Sequence, residues 1–152
     1  MEINKFYIAG KFITPDGKEV IDLINPATEE KVGHVVSGSV KDVNDAVSVA
    51  KQAFQDASAL SLAQKKTILQ EIIDGMDERR EEFAQVISEE MGAPIKVARG
   101  AQFSSGKVHF VNTLKVIDSF SFSEVHDNIT LNKLPIGPVG ICLLYTSDAA
   151  DE

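Results

Sequence analysis

One cysteine, no tryptophan and no apolar run near the roughly 20 residues of a membrane span set the first limits on this 152-residue chain. A lone Cys142 excludes an intrachain disulfide and any cluster of thiolate metal ligands. The opening Met1-Glu2-Ile3-Asn4-Lys5-Phe6 lacks the charged-then-apolar layout of a signal peptide, so a cytoplasmic protein is expected. Basic charge is also scarce: 15 Lys and Arg stand against 23 Asp and Glu, a net charge of −8. That leaves no electrostatic footprint for nucleic acid or an anionic membrane. Local catalytic motifs are absent as well, with no GxGxxG, GxxxxGK[ST], HExxH, paired Cys-x-x-Cys or serine nucleophile elbow. Glu89-Glu90 is a carboxylate pair, but neighbours on a helix point about a third of a turn apart and cannot share one reacting atom. From spacing alone, no catalytic, cofactor-binding or metal residue is nominated.

The last eleven residues, Cys142-Leu143-Leu144-Tyr145-Thr146-Ser147-Asp148-Ala149-Ala150-Asp151-Glu152, differ in kind from what precedes them. They match, letter for letter, the conceptual translation of a transposase adapter used to build shotgun sequencing libraries. The expectation is therefore a native stretch over residues 1–141 and a non-native, adapter-derived tail over 142–152, the alternative being a genuine acidic terminus. Without Asp148, Asp151 and Glu152 the acidic count falls to 20 against 15 basic residues, a net of −5, and the only thiol goes with the tail. With 43% hydrophobic residues the chain is globular in composition, and its length is that of about one domain.

The first third reads as strands. Phe6-Tyr7-Ile8 and Phe12-Ile13 flank a short turn at Ala9-Gly10-Lys11, a hairpin pattern. Thr14-Pro15-Asp16-Gly17-Lys18 is a turn, because Pro presets φ and Asp-Gly tolerates the left-handed region. Val20-Ile21-Asp22-Leu23-Ile24 is extended and stops at the turn Asn25-Pro26-Ala27-Thr28; Lys31-Val32-Gly33-His34-Val35-Val36 follows. His34 stands alone in a strand and reads as a surface or packing residue.

From Ser39 the period becomes helical. Ser39 is the expected N-cap of a helix whose buried face would carry Val43, Ala46, Val47, Ala50, Ala53 and Phe54. Ser61 with Gln64 predicts a capping box for a second helix, with Ile68, Leu69, Ile72, Ile73 and Met76 inward. The run Asp77-Glu78-Arg79-Arg80-Glu81-Glu82 mixes signs at one-turn spacing and reads as a solvated helix face. A third helix carries Phe83, Val86 and Ile87 and ends at Gly92, with Pro94 just beyond. A fourth runs over 94–117 with Val97, Ala98, Ala101, Val108, Val111 and Leu114 as its apolar set; Gly100, Ser104, Ser105 and Gly106 weaken its middle and suggest a close helix crossing. His109 receives no role. After a polar stretch over 119–128, residues 129–134 read as a strand, and Pro135-Ile136-Gly137-Pro138 as a linker that launches a buried strand at Val139-Gly140-Ile141.

Five stretches in order resemble the amino-terminal part of the NAD(P)-dependent aldehyde dehydrogenase superfamily. They are Tyr7-Ile8-Ala9-Gly10-Lys11-Phe12; Ile24-Asn25-Pro26-Ala27-Thr28-Glu29-Glu30 with Val32-Gly33-His34-Val35; Asp42-Val43-Asn44-Asp45-Ala46-Val47 leading to Ala53-Phe54; Glu89-Glu90-Met91-Gly92-Ala93-Pro94; and Pro135-Ile136-Gly137-Pro138-Val139-Gly140-Ile141. The resemblance implies an α/β fold, present here as an incomplete amino-terminal fragment: β-arm strands used in subunit contacts, four helices, and the start of a Rossmann-like sheet at Val139. It also implies an oxidoreductase that takes an aldehyde to a carboxylic acid through a thiohemiacetal and thioester on Cys. The hydride acceptor would be NAD or NADP, the enzyme a cytoplasmic homo-oligomer, and neither nucleic acid nor membrane a partner. The family's oxyanion Asn, general-base Glu, nucleophilic Cys and nucleotide-binding residues would all lie beyond Ile141, so no position here inherits them, Cys142 included. One weaker carry-over is a monovalent cation held near Leu23, Ile24 and Glu90; only Glu90 supplies charge, and a capping role for that carboxylate is preferred. The alternatives are a non-catalytic oligomerisation module, and a sister enzyme reducing a semialdehyde or acyl phosphate.

Overall fold

The computed structural model of the chain describes residues 2–141; Met1 and residues 142–152, hence Cys142 and the whole expected tail, lie outside the described residues. The turns seen in the sequence set the β layer. Strands β2 (Phe6–Ile8) and β3 (Lys11–Ile13) form an antiparallel hairpin with Tyr7 opposite Phe12. Ala9 and Gly10 both take positive φ, 55° and 76°, the two left-handed residues that a tight hairpin turn needs. Strands β4 (Val20–Ile24) and β5 (Lys31–Val36) pair antiparallel with an irregularity between Leu23 and Ile24. A short β1 (Glu2–Ile3), absent from the sequence reading, runs parallel to β5 on its other side.

Helix α1 (Val40–Ala59) begins at Ser39 as expected, in a capping box with Asp42. Asp42 does more than cap. Its carboxylate accepts the backbone N–H of Ser39 at 2.8 Å, of Asp16 at 2.9 Å and of Gly17 at 3.0 Å, tying the Pro15-Asp16-Gly17 turn to the start of α1. A side chain at Gly17 would run into the carbonyl oxygen of Ser37, so the turn closes only with glycine there. The helix is otherwise lightly held, and its predicted buried face is not buried. Ala46 and Phe54 are half-buried, but Val43, Val47, Ala50 and Ala53 are exposed, because α1 shares no extended contact with another element among the described residues.

The N–H of Asp16, then those of Ser39 and Gly17, hold the Asp42 carboxyl well below the usual carboxylate range. A depressed value in the folded chain means the clamp contributes fully above about pH 4, where an unpaired Asp ionises, and is lost as pH falls toward the depressed value. Far-UV dichroism should therefore show α1 melting on acidification of the native sequence, whereas Asp42→Ala lacks that helical signal already at pH 7. Ser39→Ala, which removes one cap acceptor, should cost about 1 kcal/mol. Identical acid titrations for the native chain and Asp42→Ala would contradict this.

Helices α2 (Leu62–Glu78) and α3 (Arg80–Met91) meet at an elbow on Arg79; the Ser61–Gln64 capping box opens α2 as predicted. The fourth helix is continuous over the predicted span but not uniform: a short α4 (Ile95–Val97) passes through a π turn (Ala98–Gln102) into α5 (Phe103–Val116). Its inward side also differs from the predicted one. Val97 and Val108 are each 42% exposed and Ala101 is exposed, while Phe103, absent from the predicted set, is 2% exposed. Phe103 packs on Phe83 at 5.8 Å between ring centroids and lies under the Arg80 guanidinium at 4.3 Å. With Ile73, Ala84 and Ala98 it makes up the buried apolar core of the described residues, seated between α2, α3 and the long helix. The crossing expected from the small residues is there in part: a Cβ on Gly106 would meet the methyl end of Met76 at 4.0 Å, whereas one on Gly100 would meet nothing within 4 Å.

Two antiparallel strands follow, β6 (Ser123–His126) and β7 (Ile129–Asn132). β7 was expected; β6 falls in the stretch taken for polar coil. The predicted buried strand at Val139 does not form among the described residues. Residues 133–141 are irregular, with Ile136 93% and Ile141 92% exposed, because a strand needs a neighbour to receive its N–H and C=O groups and none is there.

Candidate functional site

The sequence landmarks meet where the β4–β5 turn touches the end of α3. Asn25 builds that turn: its side-chain oxygen accepts from Ala27 N–H at 2.8 Å and Thr28 N–H at 3.3 Å, and its carbonyl from Glu29 N–H at 2.8 Å, with Glu29 at φ 59°. Gly92 closes α3 in the left-handed region, φ 66°, and a Cβ there would lie 2.8 Å from Ala27 N and 3.0 Å from Pro26 Cγ. Glycine is thus required twice, for conformation and for approach. Gly92→Ala should cost about 1–2 kcal/mol from backbone strain alone, plus the displacement of the Pro26–Ala27 turn. The urea midpoint of the helical signal should fall; an unchanged midpoint would show that this contact does not form in solution.

Of the residues raised for a cation, Leu23 and Ile24 lie at the bulged end of β4, one half-buried and one exposed. Glu90 is exposed and its carboxylate makes no hydrogen bond or ion pair among the described residues, so the capping role preferred for it is not realised; the αL glycine closes α3 instead. Elsewhere, His34 sits in register between Glu2 and Asp22, yet no three His, Cys, Asp or Glu side chains gather into a metal-holding group among the described residues.

The mixed-charge run is more than a solvated face. Asp77 accepts from Arg80 at 3.2 Å and from Lys107, which together hold its carboxyl below the usual range, Lys107 the more strongly. Glu81 receives Arg99 through two bonds of 2.7 and 2.8 Å, and this pairing, with a further bond from Gln85, brings its carboxyl down to about 2. These pairs bridge α2 and α3 to the long helix. Their low carboxylate values reflect cross-helix pairing, with no nucleophile or base set opposite a substrate position.

A concavity of about 520 Å³ opens at the end of α5 and is lined by His109, Asn112, Thr113, Val116, Ile117, Phe120 and Phe122. Its wall is mostly apolar. The first amides of α1 and α2 are taken by their own Ser39–Asp42 and Ser61–Gln64 boxes, and α3 starts directly from the elbow; the long helix starts at Ile95 behind Pro94 with no side-chain cap.

Residues 12–145 match the profile of the aldehyde dehydrogenase family. The chain belongs to the aldehyde dehydrogenase family. Its fold agrees: it superposes on the aldehyde dehydrogenase of Bartonella henselae with a TM-score of 0.80 at 34% identity, over 84% of this chain and 27% of that one. Against a mutant of aldehyde dehydrogenase C of Pseudomonas syringae, solved with NAD+ and octanal, the TM-score is 0.82 at 37% identity, over 85% and 27%. A Staphylococcus haemolyticus relative provisionally named an aldehyde dehydrogenase is 33% identical over 135 residues, 89% of this chain and 28% of its own length. The chain therefore spans under a third of the length of these relatives, and it corresponds to the amino-terminal part of their α/β fold. The family match runs four residues past Ile141, over positions outside the described residues.

Proposed function

We propose that this chain is the amino-terminal part of an enzyme that oxidises an aldehyde to a carboxylic acid with NAD or NADP as hydride acceptor, residues 1–141 being its native portion and 142–152 an adapter-derived tail. The family match over residues 12–145 carries the proposal, supported by likeness to a structure solved with NAD+ and octanal. The chemistry follows from the family resemblance: a Cys thiolate adds to the carbonyl, an Asn amide and a backbone N–H stabilise the oxyanion, and a Glu-activated water hydrolyses the thioester. When bound, the nicotinamide accepts the hydride. The described residues carry no glycine-rich phosphate loop, and the starts of α1 and α2 are closed by their own capping boxes, so no step is routed through them. Their contribution is scaffold: the Asn25–Gly92 junction, the α2–α3–α5 seam and the two hairpins.

A monovalent cation at the backbone oxygens of Leu23 and Ile24 with Glu90 belongs to the same proposal in second place, as does cytoplasmic homo-oligomeric assembly through the β arm. The competing non-catalytic module draws on one observation, the exposed strands of β6–β7, whose outer edges are free to pair. Expressing the reading frame extended from source DNA and assaying it with NAD and NADP over an aldehyde panel tests the proposal. Cofactor reduction that depends on aldehyde is expected; an extended protein that oxidises none, or that reduces an acyl phosphate or semialdehyde instead, would overturn the assignment.

A further inference from the structure

Ala98 and Phe103, the two most deeply buried residues of the long helix at 0% and 2% exposure, are five positions apart. At about 100° per residue an α-helix would turn them about 140° from each other, and only one could face α3. Each belongs to its own stripe. Ile95 and Ala98 lead in from one end; Phe103, Lys107, Phe110, Val111, Leu114 and Ile117, all buried or half-buried, continue at helical spacing on the other. Wound as one α-helix, the two stripes would point to different sides of the molecule. The π turn between them removes the conflict. The Phe103 N–H donates to the carbonyl of Ala98 five residues back, which takes up about one extra residue and rotates everything beyond it back into line.

We infer that this turn is a one-residue insertion that sets the rotation of α5, and that Gly100 is the residue it accommodates. A Cβ at Gly100 would meet nothing within 4 Å, and Arg99, Gly100 and Ala101 are all exposed, so packing does not hold the middle of the turn. What anchors it is the two-pronged Arg99–Glu81 pair to α3. In the π-wound helix Phe103 reaches Phe83 and Arg80 while Ala98 stays buried; in an α-wound helix of the same length it would swing away from them.

Two deletions in the full chain separate this from a merely irregular helix, read by hydrogen exchange with mass spectrometry. Deleting Gly100 removes the surplus residue, lets the helix wind as uninterrupted α and leaves both stripes in line, so slow exchange over residues 103–117 is kept. Deleting Ser105 shortens the same helix equally, but after Phe103. No winding can then place Ala98, Phe103 and the later residues on one side, and exchange over that segment should speed up about tenfold or more. Loss of protection on deleting Gly100, retention of it on deleting Ser105, or no protected amides in the unaltered chain would each overturn the inference.

Discussion

No aldehyde should be oxidised by the purified 152-residue chain with either NAD or NADP, and neither nucleotide should bind it saturably in calorimetry. Enzymes of any class accelerate their reactions by about a millionfold or more, so the expected difference is between turnover and background. The described residues supply no thiolate and no carboxylate set over a substrate position: the shifted carboxylates Asp42, Asp77, Glu81 and Glu124 are each consumed by backbone amides, by cations across a helix seam or, for Glu124, by Lys133 in the second hairpin. Aldehyde-dependent cofactor reduction by this chain would refute the view that its part is scaffold alone.

Self-association is the second large expected effect. The chain exposes 11554 Å², where a compact monomer of 16.5 kDa exposes about 7,500 Å². Large apolar side chains stand exposed: Val43 and Val47 on α1, Tyr7 and Phe12 on the first hairpin, Val125, Ile129 and Leu131 on the second, and Ile136, Val139 and Ile141 after it. Apolar patches of this extent normally lie against another surface, and the free edges of β6 and β7 invite pairing between chains. The chain should therefore give a helical far-UV spectrum, a broad thermal transition and a spread of masses in light scattering. Its slowest-exchanging amides should lie in α2, α3 and the long helix, where Ile73, Ala84, Ala98 and Phe103 are covered. A monodisperse monomer with a sharp cooperative melt would show that the fragment is self-sufficient.

What the sequence disclosed and what it hid follow a physical division. Ser39, Ser61, Gly92, the Ala9-Gly10 turn and the Asn25-Pro26 turn were legible because caps and turns are decided by a few neighbouring residues. Phe103 was not, because the π turn shifts the period and places it off the stripe that a uniform α-helix defines. The face of α1 was read correctly as apolar and wrongly as covered, since periodicity shows which side seeks a partner without showing that one is there. Val139-Gly140-Ile141 fails for the same reason, being strand-like in composition but without a neighbouring strand. β1 and β6 escaped because two or four residues with mixed polarity carry too little period to read. The two bonds that Asp42 accepts from the far turn, from Asp16 and Gly17, join residues 26 and 25 positions apart, and no local pattern encodes that. As for the site, motif order identified the family, while spacing nominated no catalytic residue; the one cation candidate was reached through resemblance.

Amplifying the locus from source DNA and sequencing outward through the codon for Ile141 tests the central claim most directly. The account predicts an open frame that runs on from the Pro-Ile-Gly-Pro-Val-Gly-Ile segment into a Pro-Trp-Asn motif and, further on, the Cys and Glu motifs of an aldehyde dehydrogenase, with the sequence of residues 142–152 absent from the genome at that place. A natural stop codon directly after Glu152, with those eleven residues encoded in the source DNA, would contradict it.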